Sequence, residues 1–318
     1  MPDRKPKRRR SGFIEILNGL LTLLVLGLVV SVGVFFWGAS QFYASGPEAE
    51  ETTFFVERGN GLGTIAQRLD EQELISNSWI FRAGAWAASR NNSNILPGEY
   101  VVPARASMAE ILDIITSGKP VEYFVMIKPG QSSYEVAQAL NDPSIRLTGD
   151  PVEPPPEGSV LPVRYDYFPG DERQALLEEM KTNMNEAVDK AWAACRPDIC
   201  GPDGVLKDKA EFVTLASIVE KETGIASERP VVASLFVNRM KRGWRLETDP
   251  TIIYGIHKGV PQPSLTITAS QKARQTEYNT YQIDGLPPTP IANPGVDALE
   301  AVANPAQTDY LFMMAVTP

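Results

Sequence analysis

The sequence is poor in the side chains that most catalytic and metal sites require. Its 318 residues include a single histidine, His257, and two cysteines, Cys195 and Cys200. A structural zinc ion takes four Cys or His ligands, so the chain offers too few for such a site. A histidine-based hydrolase would depend entirely on His257, which we expect to be an exposed or satisfied side chain. The chain also lacks a Gly-rich phosphate loop, and we predict no metal and no cofactor.

Acidic residues outnumber basic ones outside the first ten residues. The formal net charge is −9, yet residues 1–10 carry six Lys/Arg and one Asp, a local charge of +5 that leaves −14 for the rest. Nucleic-acid binders present a basic surface, so an acidic body of this kind argues against one.

Charged residues are absent from Ile16 to Gly46, a run whose most apolar part is Leu20–Trp37. About 20 apolar residues are needed to span a bilayer, whereas the apolar core of a cleaved signal peptide is usually shorter. We therefore predict a basic tail over 1–12, a single transmembrane anchor over 13–38 and a polar linker over 39–51. The preceding basic residues place the N-terminus in the cytoplasm and the remainder outside it.

Residues 52–121 alternate short strand-like and helical segments, which predicts a small α+β module. Strands are expected at Phe54–Val56 and near Tyr100, and helices near Ile65, from Ser78 and over Met108–Thr116. The pattern resembles a LysM-like module, a class that binds glycan chains. A spacer or packing domain without a ligand fits the same pattern equally well.

Residues 122–318 predict a second domain of mixed α/β character, which makes the whole chain α+β. The segment 141–170 is Pro- and Gly-rich and is predicted to be a long connection. Outside the cytoplasm a disulfide between Cys195 and Cys200 could form, and the sequence leaves its formation open. The predicted elements are a strand over 122–128, helices over 133–140, 172–192, 211–224, 228–240 (capped by Ser227) and 297–303, and a buried strand over 309–316.

The helix predicted over Glu211–Gly224 carries the candidate chemistry. Apolar residues recur at helical spacing along one face, and Gly224 is placed to end the helix in a left-handed conformation. Glu220 and Glu222 lie on opposite edges of that apolar face, with Lys221 on the polar side. A carboxyl group beside apolar surface is costly to ionise, so its pKa is expected to be raised. A raised pKa suits a general acid that works near neutral pH. Periodicity does not decide between the two glutamates, and a pair of surface carboxylates is the alternative.

Several motifs in fixed order resemble the MltG (YceG-like) endolytic murein transglycosylase family. They cover most of the chain, and five of them lie within about a hundred residues, which makes the match specific. The motifs are EGSVLPVRYDY (157–167), ASIVEKE (216–222), NRM (238–240), LETDPTIIYG (246–255), YNTY (278–281), and a last motif formed by GLPPTPIANPG (285–295) followed by ALEAVANPAQTDYLFMMA (298–315).

The resemblance implies a catalytic role for Glu220, the first glutamate of VEKE. Other motif positions are expected to line the substrate cleft. Thr289 stands where the family usually has glycine, which is expected to alter that turn. The family also continues beyond the last motif, so the chain, ending at Pro318, is expected to lack a C-terminal segment. The expected cleft residues are Glu222, Asp249, Tyr254, Tyr278, Asn279, Tyr281 and Asn293.

The activity that the resemblance implies is non-hydrolytic cleavage between N-acetylmuramic acid and N-acetylglucosamine in nascent glycan strands, ending their elongation. The implied partners are peptidoglycan glycan strands and the cytoplasmic membrane, with peptidoglycan synthases as further candidates and no nucleic acid. Two rival hypotheses are a lysozyme-like muramidase, with Glu222 or Asp249 as second carboxylate, and a non-catalytic peptidoglycan-binding or scaffold protein.

Overall fold

The computed structural model describes residues 12–88, 95–263 and 266–313, with backbone alone for residues 12–15. The predicted basic tail therefore lies almost entirely outside the described residues. The chain divides into two compact units, residues 1–121 and residues 122–318. Both combine helices with one small antiparallel sheet, so the mixed helix and sheet character predicted from the sequence is confirmed.

The first unit consists of one long helix followed by a small helix and strand module. Strands β1 and β2 pair antiparallel, with Thr52 opposite Val102 and Val56 opposite Gly98. Helices pack on this sheet around a core that includes Phe54 and Tyr100. The elements are α1 (Gly12–Tyr43), β1 (Thr52–Val56), α2 (Leu62–Glu71), α3 (Ser78–Ala87), β2 (Gly98–Val102) and α4 (Met108–Ser117).

Helix α1 is the one helix among the described residues that is long and apolar enough to cross a membrane, over Ile16–Tyr43. It is therefore compatible with a single-pass membrane anchor. The helix continues to Tyr43, into the segment predicted as linker. The following residues are paired with the module, because the Gly46 N–H donates to the Arg105 carbonyl (3.0 Å) and the Arg105 N–H donates to the Glu48 carbonyl (2.7 Å).

The second unit is mostly helical. Its sheet pairs β3 with β4, with Tyr123 opposite Tyr167 and Met126 opposite Arg164. A short 3-10 turn over Ala226–Glu228 precedes α8. The elements are β3 (Tyr123–Met126), α5 (Ser133–Leu140), β4 (Arg164–Tyr167), α6 (Arg173–Ala193), α7 (Lys209–Glu222), α8 (Arg229–Lys241), α9 (Asp249–His257), α10 (Ala269–Ala273) and α11 (Val296–Ala303).

Three predictions for the second unit are wrong in part. The connection over 141–170 contains strand β4, which the sequence analysis missed. Ser227 does not cap the helix predicted over 228–240, because Ser227 lies within the 3-10 turn and α8 begins only at Arg229. The predicted buried strand over 309–316 is irregular and largely exposed over 309–313, and its remaining residues lie outside the described ranges. Side chains of α8 hold this segment by its carbonyls, as with Asn238 Nδ2 to Thr308 O at 2.7 Å.

Candidate active site

Helix α7 crosses the interior of the second unit. Its N-terminus is capped by Asp208, whose carboxylate accepts the Glu211 N–H at 2.9 Å. Every residue from Phe212 to Glu220 is buried, so the helix has no solvent-facing polar side over that length. The predicted ending is also wrong, because Thr223 ends the helix in an extended conformation and Gly224 has no positive φ.

Ser217, on α7, fixes the Pro-rich loop 285–295. The side chain is fully buried, its hydroxyl donates to the Thr214 carbonyl at 2.7 Å, and it accepts the Ile291 N–H at 3.0 Å. A distant loop segment is therefore anchored directly on α7, one turn before Glu220.

Glu220 is a buried carboxylate with a partner on each oxygen. Its side chain is only 4% exposed. Oε1 accepts from Arg229 Nη2 at 2.8 Å, and Oε2 accepts the backbone N–H of Gly295 at 2.9 Å. A Cβ on Gly295 would come within 3.3 Å of both Oε2 and the ring of Pro129, so glycine permits this close approach. Both contacts stabilise negative charge on Glu220.

Arg229, the first residue of α8, is the partner that the sequence analysis missed. Its side chain is 10% exposed, and it also reaches the Asp297 carboxylate at 3.5 Å. Among the buried side-chain atoms that the structure describes, Arg229 Nε is one of two without a hydrogen-bond partner. Buried donors without a partner are uncommon in folded proteins. Nothing in the helical periodicity of α7 pointed to Arg229, since the 3-10 turn brings it back onto that helix.

Two loops that meet beside Glu220 are joined through Asn293. The Gly130 N–H donates to the Asn293 carbonyl and the Asn293 N–H donates to the Gln131 carbonyl, both at 2.9 Å. The Asn293 side chain is fully buried, and its Oδ1 accepts the Val160 N–H at 3.0 Å. Asn293 therefore holds the backbone beside Glu220, and its amide is fully engaged by protein groups.

Glu157, the first residue of the EGSVLPVRYDY motif, is a partly buried carboxyl that was not predicted as a site residue. Its Oε1 accepts the Ser133 N–H at 2.8 Å, at the start of α5. Burial raises the pKa of Glu157, against the lowering effect of hydrogen bonds from Ser133 and Tyr254. The motif itself was the available signal for this residue.

An aromatic pair stands next to Glu157. The rings of Tyr254 on α9 and Tyr278 have centroids 5.2 Å apart. Burial, then the nearby Glu157 carboxylate, raises the pKa of Tyr254. The Tyr278 hydroxyl pairs with the Thr289 hydroxyl at 2.7 Å, which ties Tyr278 to the Pro-rich loop 285–295. The Lys258 ammonium lies 3.8 Å from the centre of the Tyr278 ring, a cation–π contact.

Glu222 lies in a different environment from Glu220, although only one residue separates them. Its Oε2 accepts from the Thr248 hydroxyl at 2.8 Å. Burial raises the pKa of Glu222, the Thr248 hydrogen bond lowers it, and the nearby Asp249 carboxylate raises it further. Thr248 is itself buried, and its N–H donates to the Thr280 hydroxyl at 3.0 Å.

Asp249, the first residue of α9, is paired with a cation and a phenol. Its Oδ1 accepts from the Tyr281 hydroxyl at 2.7 Å and lies 2.9 Å from the Lys272 ammonium. Burial would raise the pKa of Asp249, but Lys272 and Tyr281 together lower it. Asn279 is buried beneath this group, and its Nδ2 donates to three backbone carbonyls of the 271–274 segment at 2.6–3.2 Å.

The predicted site residues thus fall into two connected groups. In the first group, Glu220 lies beside the two loops that Asn293 joins, and Asn293 Nδ2 donates to Glu157 Oε1 at 3.4 Å. Glu157 in turn accepts a hydrogen bond from Tyr254, whose ring packs against that of Tyr278. The second group links Glu222, Asp249, Tyr281 and Asn279 through Thr248, Thr280 and Lys272.

The residues singled out by their scarcity lie outside both groups. His257 ends α9 and is half-buried, and Cys195 and Cys200 form a disulfide. Within the described ranges, no three His, Cys, Asp or Glu side chains are grouped so as to hold a metal ion.

Comparisons with a family model, with curated proteins and with solved structures all point to the same family. The model of the YceG-like family matches residues 54–317. An endolytic murein transglycosylase of Bacillus subtilis is 25% identical over 89% of this chain and 84% of its own length. One from Streptococcus pneumoniae is 24% identical over 83% of this chain, which spans 54% of that relative. A crystal structure of a yceG-like protein from Listeria monocytogenes shares the fold, with a TM-score of 0.52 and 24% identity over 84% of this chain and 94% of that one.

Proposed function

The chain belongs to the YceG-like family, and from that premise we propose that it is an endolytic lytic transglycosylase of peptidoglycan. The reaction is cleavage of the β-1,4 bond between N-acetylmuramic acid and N-acetylglucosamine inside a glycan strand, leaving a 1,6-anhydro end. One observation carries the assignment of the site: Glu220 is a buried carboxylate held by Arg229 and the Gly295 N–H. The names of the curated relatives supply the reaction class.

In the first step Glu220 acts as general acid. A proton passes from its carboxyl to the glycosidic oxygen, the bond from that oxygen to C1 breaks, and positive charge develops at C1. The carboxylate that remains is stabilised by the Arg229 guanidinium and by the Gly295 N–H, which are already in place. Each carboxylate oxygen has a second lone pair, so these contacts leave room for the proton on either oxygen.

In the second step the same carboxylate acts as general base. It takes the proton from the 6-hydroxyl of the muramic acid while that oxygen attacks C1, which closes the 1,6-anhydro ring and restores the acid form of Glu220. Water is neither consumed nor activated, so the second carboxylate of ordinary glycosidases is not needed. The second carboxylates of the muramidase hypothesis, Glu222 and Asp249, are engaged by Thr248, Tyr281 and Lys272.

The remaining predicted residues divide into two roles. Glu222, Asp249, Tyr254 and Tyr281 are partly exposed, and we assign them to the substrate cleft. Tyr278, Asn279 and Asn293 are buried, so they are positioning residues that hold loops by hydrogen bonds. Glu157 joins this second set, because its carboxyl connects the start of α5 to Tyr254.

The first unit supplies attachment in this proposal. Helix α1 anchors the protein in the cytoplasmic membrane with its N-terminus in the cytoplasm, and the second unit acts outside it. The two-stranded module is a LysM-like glycan-binding module. Cleavage close to the membrane would end the elongation of nascent strands, and peptidoglycan synthases are the corresponding candidate partners. The basic residues 4–10 and the acidic remainder of the chain support this orientation.

The reaction class is tested by the products of the purified full chain acting on uncrosslinked glycan strands. We expect mass spectrometry to find internal cleavage with 1,6-anhydro-muramic acid ends, each lighter by one water than a reducing end. Reducing muramic acid ends would instead establish a muramidase. Unchanged strands, under conditions where a known lytic transglycosylase cleaves them, would favour the scaffold hypothesis.

A further inference from the structure

Helix α3 of the first unit exposes two tryptophans on one face. Trp79 is 72% exposed and Trp86 is 74% exposed. Together with Arg82 and Ala83 they follow the i, i+3, i+4, i+7 spacing of a single helix face, while Phe81 on the opposite side is buried. Large aromatic side chains exposed in a row are unusual on a surface that meets only water.

This helix is fixed to the end of α1. Phe42, in the last turn of α1, is buried and belongs to the core of the module. Its ring lies against Gly84 of α3 so closely that a Cβ there would overlap it. The paired backbone of Gly46, Glu48 and Arg105 forms a second connection just after α1. The depth of α1 in a bilayer therefore sets the position of α3.

The length of α1 places its last turns at the membrane surface. The 18 residues from Leu20 to Trp37 rise about 27 Å at 1.5 Å per residue, close to the 30 Å or so of a hydrocarbon core. Phe42 lies five residues further along, or about 8 Å beyond Trp37. The headgroup layer on each side is roughly 5–8 Å thick. Phe42, and α3 packed against it, thus fall at headgroup depth.

The chemistry of the α3 surface matches that depth. The helix contains no acidic residue, and its one cation, Arg82, lies with its guanidinium 4.9 Å from the centre of the Trp79 ring. Tryptophan favours the membrane interface, and a cation there meets lipid phosphates. An apolar cleft of about 470 Å³ runs between α3 and the α1 segment from Val34 to Tyr43, and its lining is entirely apolar or aromatic.

We propose that α3 is a second membrane contact, lying in the outer headgroup region with Trp79 and Trp86 directed into the lipid. The partner is the bilayer that holds α1. This inference rests on the proposed anchor, and it adds that the module is held against the membrane surface by its own helix. Two contacts of this kind restrict how α1 and the attached module can tilt in the bilayer.

The experiment uses single additions of tryptophan to a common background. Full-length variants retain Trp192, which packs on the Phe212 ring in the second unit, and carry phenylalanine at the other tryptophan positions. Three of them restore one of Trp37, Trp79 or Trp86, and the background variant provides the baseline. Each is reconstituted in phosphatidylcholine and phosphatidylglycerol vesicles with lipid brominated at shallow or deep acyl positions, and iodide probes access from water.

We expect shallow bromines to quench Trp79 and Trp86 by at least about half as much as they quench Trp37, with weaker quenching by deep bromines and little by iodide. Lipid quenching of Trp37 without quenching of Trp79 and Trp86 would overturn the α3 contact and leave the anchor intact. In that case, quenching of Trp79 and Trp86 by iodide would mean that the α3 surface faces water. Protection of both tryptophans from iodide would mean that a protein partner or a second copy of the chain covers them. No quenching of Trp37 would overturn the anchor and the α3 contact together.

Discussion

Glu220 and Glu222 are the same residue type on the same helix, yet their surroundings are opposite in character. Glu220 meets a guanidinium and a backbone N–H. Glu222 meets a single hydroxyl and lies near another carboxylate, which with burial raises its pKa. Two positions along a helix turn a side chain by about 200°, so the two face different loops. The chemistry of each glutamate is therefore decided by residues that are distant in sequence.

Removing the Arg229 cation beside Glu220 should have the largest effect, because it takes away the contact that most distinguishes Glu220 from Glu222. We expect Arg229→Met to destabilise the protein by about 3–5 kcal/mol, because a buried carboxylate loses its partner. Cleavage should fall by roughly 10²–10³-fold, as when a preorganised donor to developing charge is deleted. Urea unfolding and initial rates measure the two effects. Arg242→Met, at the exposed end of the same helix, is the matched control and should change neither.

A double variant separates the pair from general damage. In Glu220→Gln with Arg229→Met, no buried carboxylate is left unpaired, because Asp297 is exposed to water. The combined loss of stability should therefore be smaller than the sum of the two single losses. Additive losses in urea unfolding would mean that Glu220 and Arg229 do not stabilise each other.

The pH dependence of stability should have opposite signs at Glu222 and Asp249. The folded pKa of Glu222 is raised, so folding favours its protonated form and stability is lost as pH rises above the unfolded value. The folded pKa of Asp249 is lowered, so its contribution is present above the unfolded value and is lost as pH falls.

Unfolding of two variants between about pH 3 and about pH 7 tests these signs. Relative to wild type, Glu222→Gln should gain stability as pH rises, whereas Asp249→Asn should lose it. Parallel pH profiles for the two variants would contradict the environments described for these carboxyls.

The smallest expected effect concerns the hydroxyl partner of Glu222. Thr248→Val removes the donor to Glu222 without touching Glu220, and should cost about 1 kcal/mol of stability. Cleavage should stay close to wild type in initial-rate assays. If Thr248→Val lost most of its cleavage rate while its stability was preserved, the residues around Glu222 would be needed for catalysis, contrary to this account.

Elements with local signals were predicted well. Helix α5 matches its predicted bounds, Ser133–Leu140, because Ser132 and Glu135 form a capping box that marks its start in the sequence. Glu220 was singled out because helical spacing placed it beside apolar residues and the family motif distinguished it from Glu222. These signals lie within a few residues of the element they define.

Features that depend on distant residues were not predicted. Strand β4 does alternate apolar and polar residues over 163–167, but this short run ends a Pro-rich segment, and its partner strand β3 lies far back in the sequence. The segment after α11 has strand-like composition, but Asn238 and Arg239 bind its carbonyls and hold it as irregular chain over 309–313. The contacts of Arg229 and the Gly295 N–H with Glu220 were not predicted, because only the folded chain brings these residues together.

The assignment of Glu220 as both acid and base is tested most directly by comparing Glu220→Gln with Glu222→Gln. The measurement is the initial rate of 1,6-anhydro end formation by the purified full chain, with urea unfolding to show that both variants are folded. We expect Glu220→Gln to lose at least about 10³-fold, since proton transfer contributes roughly 10²–10⁴-fold and both steps use this group. Glu222→Gln should stay within about tenfold of wild type. A folded Glu220→Gln variant that still forms anhydro ends at a near wild-type rate would contradict the assignment.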